Sequence, residues 1–308
     1  MINQENSQEM QIAIAGAAGR LGTALQKIFP NALLLDKNCP NPTIEYVDIT
    51  SIDSLRGKLK NLGHGDWVIN AVAYVDVNLA ETEQGRSDSL NINVIGPNNL
   101  ASLSFEQLFR VIHISTAYVF DGIHGHYKES DEPTPLNTYG LHKWFSENII
   151  LEVGGVVLRT DGLYGKDLNG KRNFVDDIVR QAKETEILEV ISDQIGSPTY
   201  TKDLAMMIEA LLPKLSKEGT ERAPFRGEVY HAVNQGRVSR ADLAREIINI
   251  LGLTCEVHDI TTFTYNGRRA GQITAIRPRD CSLDTGKLKN LGIVPRPWQT
   301  ALNDYLHS

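Results

Sequence analysis

Tyr139 and Lys143 stand four residues apart in the segment Tyr139-Gly-Leu-His-Lys143. On a helix, positions i and i+4 share a face, so the phenol and the ammonium project together. A phenol ordinarily titrates near pH ~10, and a neighbouring cation stabilises its phenolate, which makes such a pair a tuned acid and base. Ser115 and Thr116 lie upstream, at the end of the apolar run Phe109–Ser115. A hydroxyl at the carboxyl end of a buried strand sits where an open α/β sheet keeps its ligand crevice, and it can hydrogen-bond a substrate carbonyl. Near the start, Gly16-Ala-Ala-Gly19-Arg20-Leu21-Gly22 joins an apolar run to a helical pattern. Such glycines allow a tight turn and close approach of a pyrophosphate to free N–H groups at a helix N-terminus. Asp36, 20 residues beyond Gly16, is placed to accept hydrogen bonds from an adenosine ribose. Its charge disfavours a 2′-phosphate, whereas Lys37 or Arg20 could neutralise one, so both NADH and NADPH stay open. Asp48 and Ile49 are candidate adenine contacts.

These residues need a frame. Gln11–Ala15 reads as a buried strand, and Leu21, Leu25, Ile28 and Phe29 then recur at helical spacing. Ala32–Asp36 and Thr43–Val47 are expected strands, followed by a helix carrying Ile52, Leu55, Leu59 and Leu62 and stopped by Gly63. Asp66–Ala71, Phe109–Ser115 and Val156–Arg159 are apolar enough to be strands covered on both faces. Pro97 falls within a helical run from Leu90 to Leu103, which predicts a kink. A helix over 173–183, a strand at Ile187–Ile191 and an exposed connection at 213–227 follow, then a strand at Glu228–Val233. Ser239 and Asp242 form a capping pattern that opens a helix through Leu251. The last 55 residues are expected to be irregular until a helix around 298–306. Alternating strands and helices define an α/β class with a Rossmann-type doubly wound parallel sheet. The strand at 228–233 is expected to return to that sheet, leaving a smaller, discontinuous C-terminal substrate-binding lobe. The expected division is 10–165 plus 200–235 for the dinucleotide and 166–199 plus 236–308 for the substrate, with 1–9 a polar tail.

Composition narrows the function. Lys and Arg number 31 against 38 acidic residues, a net charge of -7 without a basic block, which argues against nucleic acid and anionic membranes as partners. No apolar run is long enough to span a bilayer, and the polar start lacks the pattern of a signal peptide, so the cytoplasm is the expected location. Cys39, Cys255 and Cys281 are odd in number and far apart, and suggest neither disulfides nor a zinc site. His124 and His126 have no third ligand nearby, and Mg2+ is left open with no residue pattern that indicates it. Because the acidic balance repels a diphosphate, specific cations are needed at the site, with Arg277 and Arg279 as candidates.

In GAAGRLG (16–22), DWVINAVAYVDVNLAE (66–81), VIHISTAYVFDG (111–122), PLNTYGLHK (135–143), LRTDGLYG (158–165), NFVDDIVRQAKE (173–184), VISDQIGSPT (190–199) and RPRDCSLDTGKL (277–288), the chain resembles the extended short-chain dehydrogenase/reductases, and within them the dTDP-4-dehydrorhamnose reductases. The resemblance implies Thr116, Tyr139 and Lys143 as the catalytic set. It also implies Gly16, Gly19 and Leu21 under the pyrophosphate, Ala71 and Ala73 along the adenosine-to-nicotinamide path, and Ser115, Tyr118, Gln194 and Arg277 at the sugar nucleotide. The chemistry implied is hydride delivery from NADPH or NADH to the C4 ketone of a deoxyhexose on a nucleoside diphosphate. Thr116 would polarise the carbonyl and Tyr139 would supply the proton, while Lys143 would lower the phenol pKa and hold the ribose. A homodimer is expected. Two residues depart from the pattern: Ala117 replaces a usual aspartate, and Gly162 stands where a tryptophan packs near the sugar. The departures keep two alternatives in view: a regulatory subunit similar to that of methionine adenosyltransferase, and a nucleotide-sugar epimerase using the same residues.

Overall fold

The computed structural model describes residues 10–215 and 227–308. Strand β1 (Ile12–Ala15) runs through the glycine turn into α1 (Arg20–Ile28), which buries Leu21 and Leu25. Next come β2 (Leu33–Asp36), β3 (Glu45–Tyr46), α2 (Ile52–Leu59) and β4 (Trp67–Asn70). Helices α3 (Glu83–Leu90) and α4 (Gly96–Gln107) precede β5 (Arg110–Thr116), and α5 (Thr138–Glu152) precedes β6 (Val156–Thr160). All residues of β4 and β6 are buried, as a parallel sheet covered by helices on both faces requires. The second half contributes β7 (Leu163–Tyr164), α6 (Phe174–Glu184), β8 (Ile187–Ile191), β9 (Ile195–Gly196), β10 (Thr199–Tyr200), α7 (Thr201–Leu215) and β11 (Glu228–His231). It ends with β12 (Val238–Ser239), α8 (Arg240–Leu251), β13 (Glu256–Ile260), α9 (Thr262–Gly267), α10 (Gly286–Asn290) and α11 (Trp298–Leu306).

Among the described residues the main sheet has seven strands in the order β11-β6-β5-β4-β1-β2-β3. Every pair is parallel, so the doubly wound sheet expected from the sequence is present. The order reverses between β1 and β4, and the crevice at their carboxyl ends is where this architecture binds ligands. One face packs on α1 and α7 through Leu25, Leu204, Ile208 and Leu211. The other packs on α2 and α4 through Leu55, Leu59, Leu100 and Leu103. β11 joins the open edge of β6 in the register Val156↔Glu228 to Arg159↔His231. A separate apolar cluster gathers α6, α8 and α11 around Val175, Ile178, Ala244, Ile247, Trp298 and Leu302.

Several local expectations are corrected. α2 ends at Leu59, short of Gly63, although Leu62 still packs in the core. β3 has two residues where five were expected. At Pro97, where a kink is expected, the helical run does change its geometry. A wide turn over Asn91–Ile95, with Gly96 N–H bonded five residues back to Asn91 O, precedes it and places Pro97 in the first turn of α4, where its missing N–H leaves no bond unmade. Of the connection expected at 213–227, residues 216–226 lie outside the described residues, as does the 1–9 tail. Pro213 and Leu215 belong to α7, which continues because Leu211, Leu212 and Leu215 all bury against the sheet. The last 55 residues are more regular than expected: β13 pairs in parallel with β8 over five residues, and α9 and α10 follow.

Candidate active site

The glycine turn is tight because the chain leaves no alternative. Gly16 has φ +86°, and a Cβ there would lie 2.8 Å from the backbone of Ala71 and Val72 at the end of β4. A Cβ on Gly22 would lie 2.1 Å from Gly16 O, so α1 starts directly on the turn. Gly19 caps α1 without a side chain, which leaves the first-turn N–H groups of Arg20, Leu21 and Gly22 for a ligand. These features fit a pyrophosphate: the groove is narrow enough to exclude any side chain and is lined by unspent donors. Leu21 has only its backbone to offer a ligand, since its side chain is 5% exposed and lies in the core. Ala71 and Ala73 follow β4 and are half-buried.

Asp36, at the end of β2, accepts from Ala18 N at 2.9 Å and from Asn38 N at 2.8 Å, so its carboxylate fastens the turn. The two cations proposed for a 2′-phosphate have protein partners in this structure. Lys37 pairs with Asp48 at 2.8 Å, which raises the Lys37 pKa and lowers that of Asp48. Arg20 donates to Lys171 O and Arg172 O at 3.2 and 3.1 Å, tying α1 to the loop before α6. The Ile49 side chain is buried under Gly96, whose Cβ position would lie 2.9 Å from it, so Ile49 offers an adenine only its backbone.

Thr116 ends β5, and Asn137 caps α5 by accepting from Gly140 N at 2.8 Å. That cap puts Tyr139 in the first turn, with its phenol near enough to the Thr116 hydroxyl for the hydroxyl to oppose the rise of the phenol pKa. Thr116 Oγ1 also accepts from Tyr118 N at 3.1 Å. Lys143, one turn on, is buried; Nζ donates to Ile114 O at 2.7 Å and lies 2.9 Å from His113 Nε2. The expected lowering of the phenol pKa is not found. Burial pushes Tyr139 up to about 12 against the opposing Thr116 hydroxyl, and Lys143 turns its amine to β5 instead. Burial likewise takes Lys143 down to about 7, with Glu147 opposing.

Ser115 does not reach the crevice. Successive strand residues face opposite sides, and Ser115 Oγ donates to Glu147 Oε1 at 2.5 Å inside the protein. Tyr118 and Gln194 do line a cavity, together with Asp161, Gly162, Phe174 and Arg240. The Tyr118 ring stands edge-on to that of Tyr139, with centroids 6.2 Å apart, so the cavity opens beside the phenol. Gln194 Nε2 donates to Thr262 Oγ1 at 3.0 Å. Arg277 is outside the lining and donates to Asn78 Oδ1 at 2.9 Å, and Arg279 is exposed. Sequence reasoning missed Arg240 and Asp161. Arg240 is the first residue of α8, with its guanidinium 5.5 Å from the Phe174 ring centroid; only its place directly after the capping Ser239 could have drawn attention to it. Asp161 accepts from Ser197 N at 2.7 Å, and burial raises its pKa. Gly162, beside it, has φ +53°, and a Cβ there would lie 3.2 Å from Pro198 Cα, so a bulky residue would be strained in this backbone. Ala117 is fully buried. His126 lies 3.3 Å from the Asp284 carboxylate, and among the described residues no group of three or more His, Cys, Asp or Glu could hold a metal ion.

A doubly wound sheet with a glycine turn at its reversal point, and a threonine, tyrosine and lysine gathered at the ends of β5 and α5, defines a short-chain dehydrogenase/reductase of the extended kind. Within that class, the chain belongs to the family described by the RmlD substrate binding domain, whose model matches residues 10–308. It is 33% identical over 309 residues to dTDP-4-dehydrorhamnose reductase from Aggregatibacter actinomycetemcomitans, covering 96% of this chain and 97% of that protein. It is 32% identical to dTDP-4-keto-6-deoxy-D-glucose reductase from Streptomyces niveus, covering 94% of each. Among solved structures, dTDP-4-dehydrorhamnose reductase from Bacillus anthracis in complex with NADP superposes with a TM-score of 0.80 at 30% identity, covering 97% of this chain and 99% of that one.

Proposed function

We propose that this protein reduces the C4 ketone of a dTDP-bound 4-dehydro-6-deoxyhexose with NADPH or NADH, converting dTDP-4-dehydro-L-rhamnose to dTDP-L-rhamnose. The observation that carries the reading is the gathering of Thr116, Tyr139 and Lys143 at the ends of β5 and α5, with the Tyr139 ring 6.2 Å from that of Tyr118, which lines the neighbouring cavity. When bound, the reduced nicotinamide supplies a hydride to the carbonyl carbon. Thr116 hydrogen-bonds the carbonyl oxygen, and Tyr139 gives its proton to the oxygen as the alkoxide forms. A phenol with its pKa pushed up to about 12 keeps that proton throughout the neutral range, which suits the reductive direction. Lys143 holds the nicotinamide ribose, and the backbone of Gly16, Gly19 and Leu21 receives the pyrophosphate. Arg240 in the cavity wall, with Arg277 beyond it, offsets the diphosphate charge that the chain's net charge of -7 would otherwise repel.

The same reading assigns 10–165 plus 200–235 to the dinucleotide and 166–199 plus 236–308 to the sugar nucleotide. The pairing of β11 with β6 and the separate apolar cluster around α6, α8 and α11 support that division. Among the described residues no helix is long and apolar enough to cross a membrane, and a cytoplasmic location is part of the proposal. So is a homodimer, for which Phe105 and Leu108, 76% and 62% exposed near the end of α4, are candidate contacts.

The test is loss of reduced-nicotinamide absorbance with dTDP-4-dehydro-6-deoxy-L-mannose, with the product identified by NMR. Tyr139→Phe is expected to lower kcat by about 10²–10⁴ while leaving the fold and cofactor binding unchanged. Unchanged turnover in that variant would overturn the assignment of Tyr139. No turnover together with a stoichiometric enzyme partner would favour the regulatory-subunit alternative.

A further inference from the structure

Asp161 directly follows the last residue of β6, and β6 lies beside β5 with Thr160 opposite Thr116. Neighbouring strands are about 4.8 Å apart and successive Cα atoms about 3.8 Å, so the Asp161 backbone stands within about 9 Å of that of Thr116, a span that one hexose fills. The Asp161 carboxylate lines the same cavity as Tyr118, Gly162 and Arg240. Ser197 N–H holds it there by donating to Oδ2 at 2.7 Å, and Gly196 leaves room for that bond, since a Cβ on it would lie 2.2 Å from the same oxygen. The other oxygen, Oδ1, keeps its acceptor capacity: among the described residues no side chain hydrogen-bonds or ion-pairs with Asp161. The Cys281 thiol, also in the lining, donates to Ile195 O at 3.6 Å, and Gln194 Nε2 donates to Thr262 Oγ1. Arg240 is the one cation among the described lining residues, and its guanidinium lies over the Phe174 ring. Burial disfavours the charged carboxylate and raises its pKa, so an O–H donated by a ligand restores part of what desolvation takes away.

We propose that Asp161 is a specificity-determining residue that accepts a hydrogen bond from the C3 hydroxyl of the hexose. The inference rests on the reductase reading, which sets the C4 ketone against Thr116 and Tyr139. C4 has two ring neighbours. In a 6-deoxyhexose C5 carries a methyl group and the ring oxygen, neither of which donates, whereas C3 carries a hydroxyl. A carboxylate oxygen only accepts, so the C3 hydroxyl is the donor beside the reacting carbon that suits Asp161. The substrate class is thereby narrowed to 4-keto hexoses that keep the hydroxyl at C3. A 3-deoxy sugar leaves the Asp161 oxygen covered and unpaired, and a site built to bond a hydroxyl rejects the analogue that lacks it.

A cycle between residue and substrate decides it. At saturating reduced nicotinamide, kcat/KM is measured for the parent protein, Asp161→Asn and Asp161→Ala with dTDP-4-dehydro-6-deoxy-L-mannose and with its 3-deoxy analogue. With the hydroxyl present, Asp161→Ala is expected to lower kcat/KM by about 10–100-fold, chiefly through KM, and Asp161→Asn by about 5-fold or more. With the 3-deoxy analogue, the parent and both variants should agree within about threefold. Equal losses on both substrates, or none on the hydroxylated one, overturn the inference. Asp161→Asn keeps an acceptor for Ser197 N–H, so it carries the cycle if the alanine variant fails to fold. If no dTDP-4-keto sugar is turned over, the reductase reading fails, and the same cycle is run by calorimetry on dTDP-L-rhamnose and its 3-deoxy analogue. There, a loss of affinity confined to the hydroxylated ligand supports the role of Asp161, and equal losses or no binding overturn it.

Discussion

Replacing Arg159 with methionine tests the brace beneath the candidate active site. Arg159 and Glu147 are 3% and 1% exposed, and the guanidinium grips the carboxylate with Nε at 3.0 and 3.2 Å and Nη2 at 2.7 Å. The same guanidinium lies 5.0 Å from the Phe120 ring centroid and 3.5 Å from His231 Nε2, so it links α5, β6 and β11. Without it, the Glu147 carboxylate keeps the Ser115 hydroxyl but loses its ion-pair partner away from water. Breaking a buried pair from one side costs about 3–5 kcal/mol, out of a total stability of about 5–15 kcal/mol. At roughly 2–4 °C per kcal/mol for a chain of this size, the melting temperature should fall by about 6–20 °C. The double variant Arg159→Met/Glu147→Met removes both charges and should recover most of the loss, to within about 1–2 kcal/mol of the parent. Urea unfolding followed by circular dichroism gives the three free energies. A single variant that loses less than about 1 kcal/mol, or a double variant no more stable than the single, would refute the reasoning.

Two further outcomes follow from the geometry. Gly22→Ala would place Cβ 2.1 Å from Gly16 O and 2.5 Å from Ala17 O, whereas Gly19→Ala meets only Gly16 O at 3.3 Å. The Gly22 variant should therefore lose about 1–3 kcal/mol and weaken dinucleotide binding, and the Gly19 variant much less; equal losses in paired melting and cofactor titrations would contradict this. His231 has its pKa lowered to about 3, by burial and then by Arg159, from an ordinary value near 6.5. Above pH ~6.5 the ring is neutral both folded and unfolded and contributes nothing. Below it, only the unfolded chain takes up the proton, so stability falls progressively between about pH 6.5 and 3. His231→Phe should flatten that slope in urea titrations, and an unchanged slope would sink the assignment.

The frame, and the gathering of Thr116, Tyr139 and Lys143 at one end of it, were legible because both are written in short-range patterns. The apolar runs at 66–71 and 109–115 announced covered strands, and the Tyr139/Lys143 spacing announced a shared helix face. What escaped depended on partners far away in sequence. Ser115 looked available until Glu147 was seen opposite it, and Arg20 and Lys37 looked free until Lys171, Arg172 and Asp48 came into reach. The direction of the Tyr139 shift was misjudged because spacing gives a shared face but not the depth of burial, which outweighs the neighbouring hydroxyl. Arg240 and Asp161 carried no motif; the fold alone brings them to one cavity.

The seventh strand has a consequence for how the chain is made. Glu228 pairs with Val156, 72 positions earlier, so the β6 edge has no strand partner when it first leaves the ribosome. At about 5–20 residues per second, roughly 4–14 seconds pass before β11 emerges to cover it. During that interval the nascent sheet ends in an apolar strand, VVLRT, which offers an open ladder to any passing chain. Arg159, in that strand, is the built-in deterrent: a cation on a growing edge discourages mispairing, and once Glu147 and His231 close around it the same charge becomes part of the finished interior.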